Sequence, residues 1–118
     1  PEVAHVGLSE TDAKKKATSY RLFKIPMAAD LRTRTLSETR GFMKALVAED
    51  DSILGFTVFG VGGGEIMSAV QIAMLGKLPY TALRDAILTH PTLTDGLVVL
   101  FMSAPTLVSA ADNNSVNR

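Results

Sequence analysis

The sequence predicts a single α+β domain in which an antiparallel sheet carries its helices on one side. Three observations support this prediction. A chain of 118 residues fits one domain. Two runs rich in β-branched and aromatic residues, 41–48 and 52–61, are separated only by the acidic turn "EDD", which joins consecutive strands antiparallel. Beyond residue 64 the apolar residues follow a helical period, so the predicted order of elements is β-α-β-β-β-α-α-α.

The first half of the chain is predicted to hold two more strands and one helix. Residues 3–6 can form a short strand. "LSETDAKKKA" at 8–17 is predicted to be a helix, because it begins with capping-box spacing and acids and ends with lysines. "YRLFKIP" at 20–26 is a strand that ends at a proline. The stretch 27–40 is polar and is predicted to be an irregular connection.

The second half is predicted to hold three helices. "EIMSAVQIAML" at 65–75 is followed by a glycine that suits a helix C-terminus. "PYTALRDAIL" at 79–88 begins with a proline, which is favoured in the first turn. "TLTDGLVVLF" at 92–101 is the third helix. Residues 1–103 are therefore predicted to be the domain, and residues 104–118 a loose polar tail.

The predicted helix 65–75 is apolar almost all round, because only Ser68 and Gln71 interrupt it. One stripe of such a helix can pack on the sheet, and the rest needs a second cover. In a domain of this size the cover is either the next helix or a second subunit, and the residues leave both possibilities open.

Composition excludes several classes of partner. Acidic and basic residues balance at 12 each, and Lys14–Lys16 is the one dense basic run, so neither nucleic acid nor a membrane is an expected partner. The longest apolar stretch, 53–64, is too short to span a bilayer. The chain has no cysteine, which excludes disulfides and thiolate metal sites within it, and no metal site is predicted. A cytoplasmic location is the simplest expectation.

Two candidate sites are weak. The turn "GVGGGE" at 60–65 lies where phosphate loops occur, but Glu65 stands where the dinucleotide fingerprint needs a glycine, and its carboxylate would repel a phosphate. Close backbone packing is the favoured interpretation. His5 lies in the first short strand without a nearby partner of the metal-binding type, so it is predicted to be a surface or edge-strand histidine.

The third candidate is His90 with Asp95, in "LTHPTLTDGL". Thr92 and Asp95 can form a capping box that explains both residues without the histidine, and spacing alone favours it. Alternatively, Asp95 orients the imidazole of His90 for proton transfer. Because one helix ends and another begins within a few residues, the bond between His90 and Pro91 is expected to be cis.

Four segments, in this order and spacing, resemble the C-terminal dimerisation domain of the pyridine nucleotide–disulfide oxidoreductases, which include glutathione reductase, dihydrolipoamide dehydrogenase and mercuric reductase. The segments are "PEVAHVGLSETDAKKK", "SETRGFMKALV", "ILGFTVFGVGGGEIMSAVQIAML" and "THPTLTDGL". The resemblance covers the chain from Pro1 to about Phe101. The motif "HPT" followed by an acid is a specific signal in that family.

The resemblance implies a role for this domain in a larger flavoenzyme. FAD, NAD(P)H and the redox-active cysteine pair would be held by domains that precede this one, so this fragment alone is expected to bind no cofactor and to be inactive. Its histidine, His90, would act as acid–base in the partner's active site, oriented by Asp95. The backbone of His90 and Pro91 would approach the partner's flavin. The family usually has glutamate at the position of Asp95, and the side chain of aspartate is one methylene shorter.

The resemblance also implies a homodimer, with Met67, Val70, Gln71 and Met74 on the pairing face. The alternative is a free-standing interaction module that keeps the pairing surface without redox chemistry. A weaker third possibility is a small-molecule-binding domain that uses the glycine turn. The coding sequence upstream of Pro1 separates the first two, since an enzyme would extend several hundred residues and carry Cys-x4-Cys and GxGxxG.

Overall fold

The computed structural model describes residues 2–110, which form one five-stranded antiparallel sheet and five helices. A single 3-10 turn, Met27–Ala29, follows the second strand. The strands are β1 (Glu2–Gly7), β2 (Tyr20–Pro26), β3 (Phe42–Val47), β4 (Ile53–Gly60) and β5 (Thr106–Val108). The helices are α1 (Glu10–Lys15), α2 (Leu31–Thr35), α3 (Gly63–Leu75), α4 (Tyr80–Asp85) and α5 (Gly96–Met102).

The sheet has the strand order β1-β4-β3-β2-β5, and every neighbouring pair is antiparallel. The α+β class is thereby confirmed. The hairpin between β3 and β4 turns at the predicted acidic residues, where Asp51 adopts a positive φ of 72°. None of the helices in residues 2–110 has the length and apolarity needed to cross a bilayer.

Three expectations about the elements need correction. The stretch 27–40 is not wholly irregular, since it holds the 3-10 turn and α2, which are too short to show a helical period. The third predicted helix begins at Gly96 instead of residue 92. Part of the predicted tail is ordered, because Thr106–Val108 pairs with β2 as an edge strand. Residues 111–118 of that tail lie outside the described part of the chain.

The helices do not all lie on one side of the sheet. Ala13 of α1 packs with Tyr20 and Leu46, which point to the face opposite Phe23 and Ala45 by the alternation of the strands. Polar contacts tie α1 to that face. Its Glu10 accepts from the Tyr20 hydroxyl and from the Lys44 ammonium, each at 3.0 Å.

The main core lies between the sheet and helices α3, α4 and α5. Three aromatic rings join these layers: Phe23 of β2, Tyr80 of α4 and Phe101 of α5. Their ring centroids are 5.0 to 5.5 Å apart in each pair, within the range of favourable aromatic contacts. This cluster holds α4 and α5, which precede and follow the segment that contains His90.

Helix α3 buries one stripe and exposes another. Its buried residues are Gly63, Ile66, Val70 and Ala73. Val70 has no exposed surface and packs in the core of its own chain, so its predicted place on a pairing face is wrong. The opposite side leaves Ile72 and Leu75 exposed, at 70% and 78% of their surface. The described residues therefore do not provide the second cover that this apolar helix needs.

Candidate functional site

The structure brings His90 and Asp95 together. Nδ1 of His90 lies 2.5 Å from Oδ2 of Asp95, a short hydrogen bond. The two side chains differ in environment, since that of Asp95 is 9% exposed and that of His90 is 64% exposed. The shorter aspartate therefore reaches the imidazole across the predicted five-residue spacing. The acid is fixed inside the protein and the ring stands at the surface.

The bond defines how the imidazole can act. A carboxylate only accepts hydrogen bonds, so Nδ1 carries the hydrogen and Nε2 is the basic nitrogen of the neutral ring. Among residues 2–110, no group forms a hydrogen bond with Nε2. The arrangement presents a free, oriented nitrogen that can accept or return a proton.

Half of the capping box exists alongside this pair. The Asp95 N–H donates to Oγ1 of Thr92 at 3.1 Å, as predicted. The second bond of a capping box, from the Thr92 N–H to the Asp95 carboxylate, is not formed. The carboxylate accepts from His90 instead and makes no cap bond to α5. Thr92 is anchored in turn by donating to the carbonyl of Thr89 at 2.7 Å. The two interpretations of this motif thus use different atoms of Asp95.

The surroundings of His90 are an open, largely apolar cavity of about 590 Å³. Leu31 and Arg34 of α2 line one part of it, and Arg84 of α4 lines another. Arg84 is paired with Asp85 at 2.8 Å. The peptide bond between His90 and Pro91 is cis, which confirms that prediction.

A residue that the sequence analysis missed, Asp30, lies directly beneath the pair. It caps α2, because its Oδ1 accepts from the Arg32 N–H at 3.1 Å, and the residue is completely buried. Burial, and after it the nearby carboxyl of Asp95, raise the pKa of Asp30 from its ordinary 3.8 to about 6. The Arg32 N–H and the charge of His90 oppose this rise. An aspartate before a short helix signals only the cap, whereas the contact with Asp95 depends on the fold.

The raised pKa makes the stability of the fold depend on pH. The unfolded chain releases the Asp30 proton near pH 3.8 and the folded chain near pH 6, so between these values the folded state holds more protons. The free energy of unfolding is therefore expected to fall as pH rises through this window, by up to about 3 kcal/mol. Urea unfolding at pH 4 and pH 7 measures most of this change in wild type and in Asp30→Asn, which does not titrate. The same pH dependence in both proteins would contradict the assignment.

The two weaker candidates are not drawn into this site. The helix start after the glycine turn is already occupied, because the Glu2 carboxylate accepts from the Gly64 N–H at 3.2 Å. His5 lies on β1, where its ring contacts Thr57 at 2.7 Å and the carbonyl of Gly7 at 2.9 Å. Within residues 2–110, no three histidine or acidic side chains are grouped to hold a metal ion.

Comparison with known families matches residues 1–100 to the family described as "Pyridine nucleotide-disulphide oxidoreductase, dimerisation domain". The chain belongs to this family. The match includes every element from β1 to the first part of α5, and with them His90, Pro91 and Asp95. The resemblance noted in the sequence is thereby confirmed, and a dimerisation domain supports self-association of this chain.

Individual relatives agree with this assignment. The probable pyridine nucleotide-disulfide oxidoreductase RclA of Escherichia coli (strain K12) is 34% identical over 102 residues, which are 86% of this chain and 23% of the relative. Dihydrolipoyl dehydrogenase of Staphylococcus aureus is 36% identical over 94 residues, 79% of this chain and 20% of the relative. The chain therefore spans about a fifth to a quarter of the length of these curated relatives.

A solved structure shows the same fold. The Cu(II) complex of the HOCl-induced flavoprotein disulfide reductase RclA from Escherichia coli superposes with a TM-score of 0.83. The superposition covers 86% of this chain and 23% of that protein, at 34% identity. This dimerisation domain thus has the architecture of a domain found in flavoprotein disulfide reductases.

Proposed function

We propose that this domain pairs two subunits of an FAD-dependent NAD(P)H:disulfide oxidoreductase and that its His90–Asp95 pair serves the partner subunit's active site. The observation that carries the proposal is the geometry of the pair. A buried carboxylate holds Nδ1 of an exposed imidazole at 2.5 Å and leaves Nε2 free. The description of RclA as a flavoprotein disulfide reductase supports the reaction class.

In this role Nε2 of His90 accepts the proton of a thiol, and the resulting thiolate is the nucleophile for disulfide exchange. Asp95 stabilises the imidazolium that forms and keeps the ring in the tautomer with the hydrogen on Nδ1. Nε2 then returns the proton to the thiolate that leaves. Asp95 is buried and His90 is exposed, so the imidazole can extend toward a neighbouring subunit while the carboxylate that orients it stays fixed.

FAD would supply the electron transfer between NAD(P)H and the active-site dithiol. The contribution of this domain would be the backbone of His90 and Pro91, placed against the partner's flavin. A phosphate does not fit at the glycine turn of this domain, because the Gly64 N–H already donates to the Glu2 carboxylate. A cytoplasmic role in cell redox homeostasis suits this chemistry, since no cysteine in the chain requires an oxidising compartment.

We place the pairing face on the exposed side of α3. Gln71 is exposed, Met67 and Met74 are partly buried at the edge of this side, and Ile72 and Leu75 extend it. A two-fold axis through this face would bring the same apolar side chains against their own copies. The area they remove from water would stabilise the pair.

The 118-residue chain is expected to form a dimer in sedimentation velocity at micromolar concentration. Leu75→Lys is expected to weaken it at least tenfold, because a buried, unpaired ammonium opposes the contact. Leu107→Lys is the matched control, since Leu107 is 71% exposed but lies on β5, away from α3. A monomeric wild type, or equal loss in both variants, would contradict this face.

The coding sequence upstream of Pro1 tests the enzymatic part of the proposal against the free-standing module. An open reading frame with Cys-x4-Cys and GxGxxG is expected. A start codon next to Pro1 would instead favour an interaction module in which the His90–Asp95 pair has no redox partner.

A further inference from the structure

Asp30 holds an oxygen that the cap of α2 does not use. Its Oδ1 accepts from Arg32, but Oδ2 is fully buried and receives no hydrogen bond from a donor in the described part of the chain. A buried carboxylate oxygen without a donor is strongly destabilised. A proton on that oxygen removes the charge and turns it into a donor, which then needs an acceptor nearby.

The acceptor lies at the start of α5. The Asp30 carboxyl approaches the backbone so closely that a Cβ on Gly96 would lie 2.7 Å from Oδ2, and only glycine avoids this collision. Asp95 directly precedes this glycine, so it lies at the same end of α5 as Oδ2 of Asp30, and the pKa of Asp30 responds to its carboxyl. Two ionised carboxylates repel each other in such a buried position, whereas one proton between them makes the contact favourable.

We propose that Asp30 is a positioning residue, which donates a shared proton to Asp95 and thereby fixes the Asp95 carboxylate against Nδ1 of His90. The three side chains then form a chain in which Asp30 donates to Asp95 and His90 donates to Asp95 from the other side. Asp95 has a single orientation because both bonds must be satisfied. A catalytic role for these three hydrogen-bonded side chains rests on the proposed function of His90, whereas the proton shared by Asp30 and Asp95 does not.

The charged groups around Asp30 are few. His90 and Asp95 face it from the segment that leads into α5. Its own helix contributes the Arg32 N–H. The adjoining cavity is lined by Arg34 of α2 and by Arg84 and Asp85 of α4, and the last two are paired with each other.

Two substitutions separate this role from helix capping. Asp30→Asn keeps the capping oxygen and offers Asp95 an amide donor that does not titrate. Asp30→Ser keeps a capping hydroxyl but is too short to reach Asp95. A residue that only caps α2 would tolerate both changes alike, since serine, aspartate and asparagine are comparable caps.

The test uses infrared and NMR spectra of the 118-residue chain, so its outcome does not depend on catalysis. The infrared difference between pH 5 and pH 8 is expected to show about one more protonated carboxylic acid in the wild type than in Asp30→Asn. The Nδ1 hydrogen of His90 is expected to keep its downfield resonance in Asp30→Asn and to lose it in Asp30→Ser. An unchanged infrared band in Asp30→Asn, or an unchanged His90 resonance in Asp30→Ser, would overturn the proposal.

The same variants in the full-length enzyme connect the result to function. Turnover is expected to fall about tenfold in Asp30→Ser and to recover in Asp30→Asn, as for loss and rescue of a positioned acid–base group. If the spectra change as expected while turnover does not follow them, the shared proton stands and the proposed function of His90 fails.

Discussion

Replacing His90 with alanine is expected to lower turnover of a disulfide substrate by the full-length enzyme about a hundredfold or more, the usual effect of losing an acid–base group. The reason is that no other imidazole within residues 2–110 pairs with a buried carboxylate, as His90 does with Asp95. Reduction of the flavin by NAD(P)H is expected to change little, because the histidine serves the thiol side of the reaction. Steady-state turnover and stopped-flow flavin reduction measure the two effects separately.

The matched control is His5→Ala, which removes the other histidine of the chain from the exposed surface of β1. It is expected to leave turnover unchanged. Asp95→Asn is expected to cost less than loss of the imidazole, because the amide oxygen still accepts from Nδ1 but no longer supplies a charge. Unchanged turnover in His90→Ala would leave Thr92 and Asp95 with a capping role alone.

Replacing Phe23 with alanine is expected to destabilise the fold by about 3–5 kcal/mol, the range for removing a large buried aromatic ring. Phe23 is 1% exposed, and its ring contacts both Tyr80 and Phe101. The cavity left behind would remove the ring contacts that join β2 to α4 and α5. Since a domain of this kind is stable by only about 5–15 kcal/mol, the loss is a large part of the total.

Urea unfolding followed by circular dichroism measures this effect, at fixed protein concentration because association would also stabilise the fold. Phe42→Ala is the control, since Phe42 is only partly buried and its ring lies outside the cluster, 6.3 Å from that of Phe59. It is expected to cost less than half as much. Equal losses in the two variants would show that the aromatic cluster has no special role in holding α4 and α5.

The elements with strong local signals could be predicted from the sequence. The hairpin of β3 and β4 was evident from two apolar runs around a short acidic turn, and α3 from its long apolar pattern. The weak elements could not be predicted. Helix α2 has five residues, and β5 has three and forms only by pairing with β2. The side of the sheet that α1 covers depends on the packing of Ala13, which its sequence does not reveal.

The same distinction between local signals and contacts that depend on the fold applies to the candidate site. His90 and Asp95 are five residues apart, so their contact could be proposed from the sequence, although spacing alone favoured the capping box and the family resemblance favoured the pair. Asp30 is far from Asp95 in sequence, and their approach depends on the close packing of the Asp30 carboxyl against Gly96. The pairing face shows a similar limit. An almost uniformly apolar helix does not indicate which stripe is buried, and Val70 proved to face the core of its own chain.

Activity in mixed dimers tests most directly whether His90 serves the partner's active site. One variant of the full-length enzyme carries His90→Ala, and the other has its redox-active cysteine pair replaced by serine. Each is expected to be inactive alone, whereas unfolding and refolding them together in equal amounts is expected to restore about a quarter of wild-type activity. Random pairing makes about half of the dimers mixed, and each mixed dimer has one complete site of two. Mixed dimers that form, as shown by differently tagged subunits, but remain inactive would contradict the account.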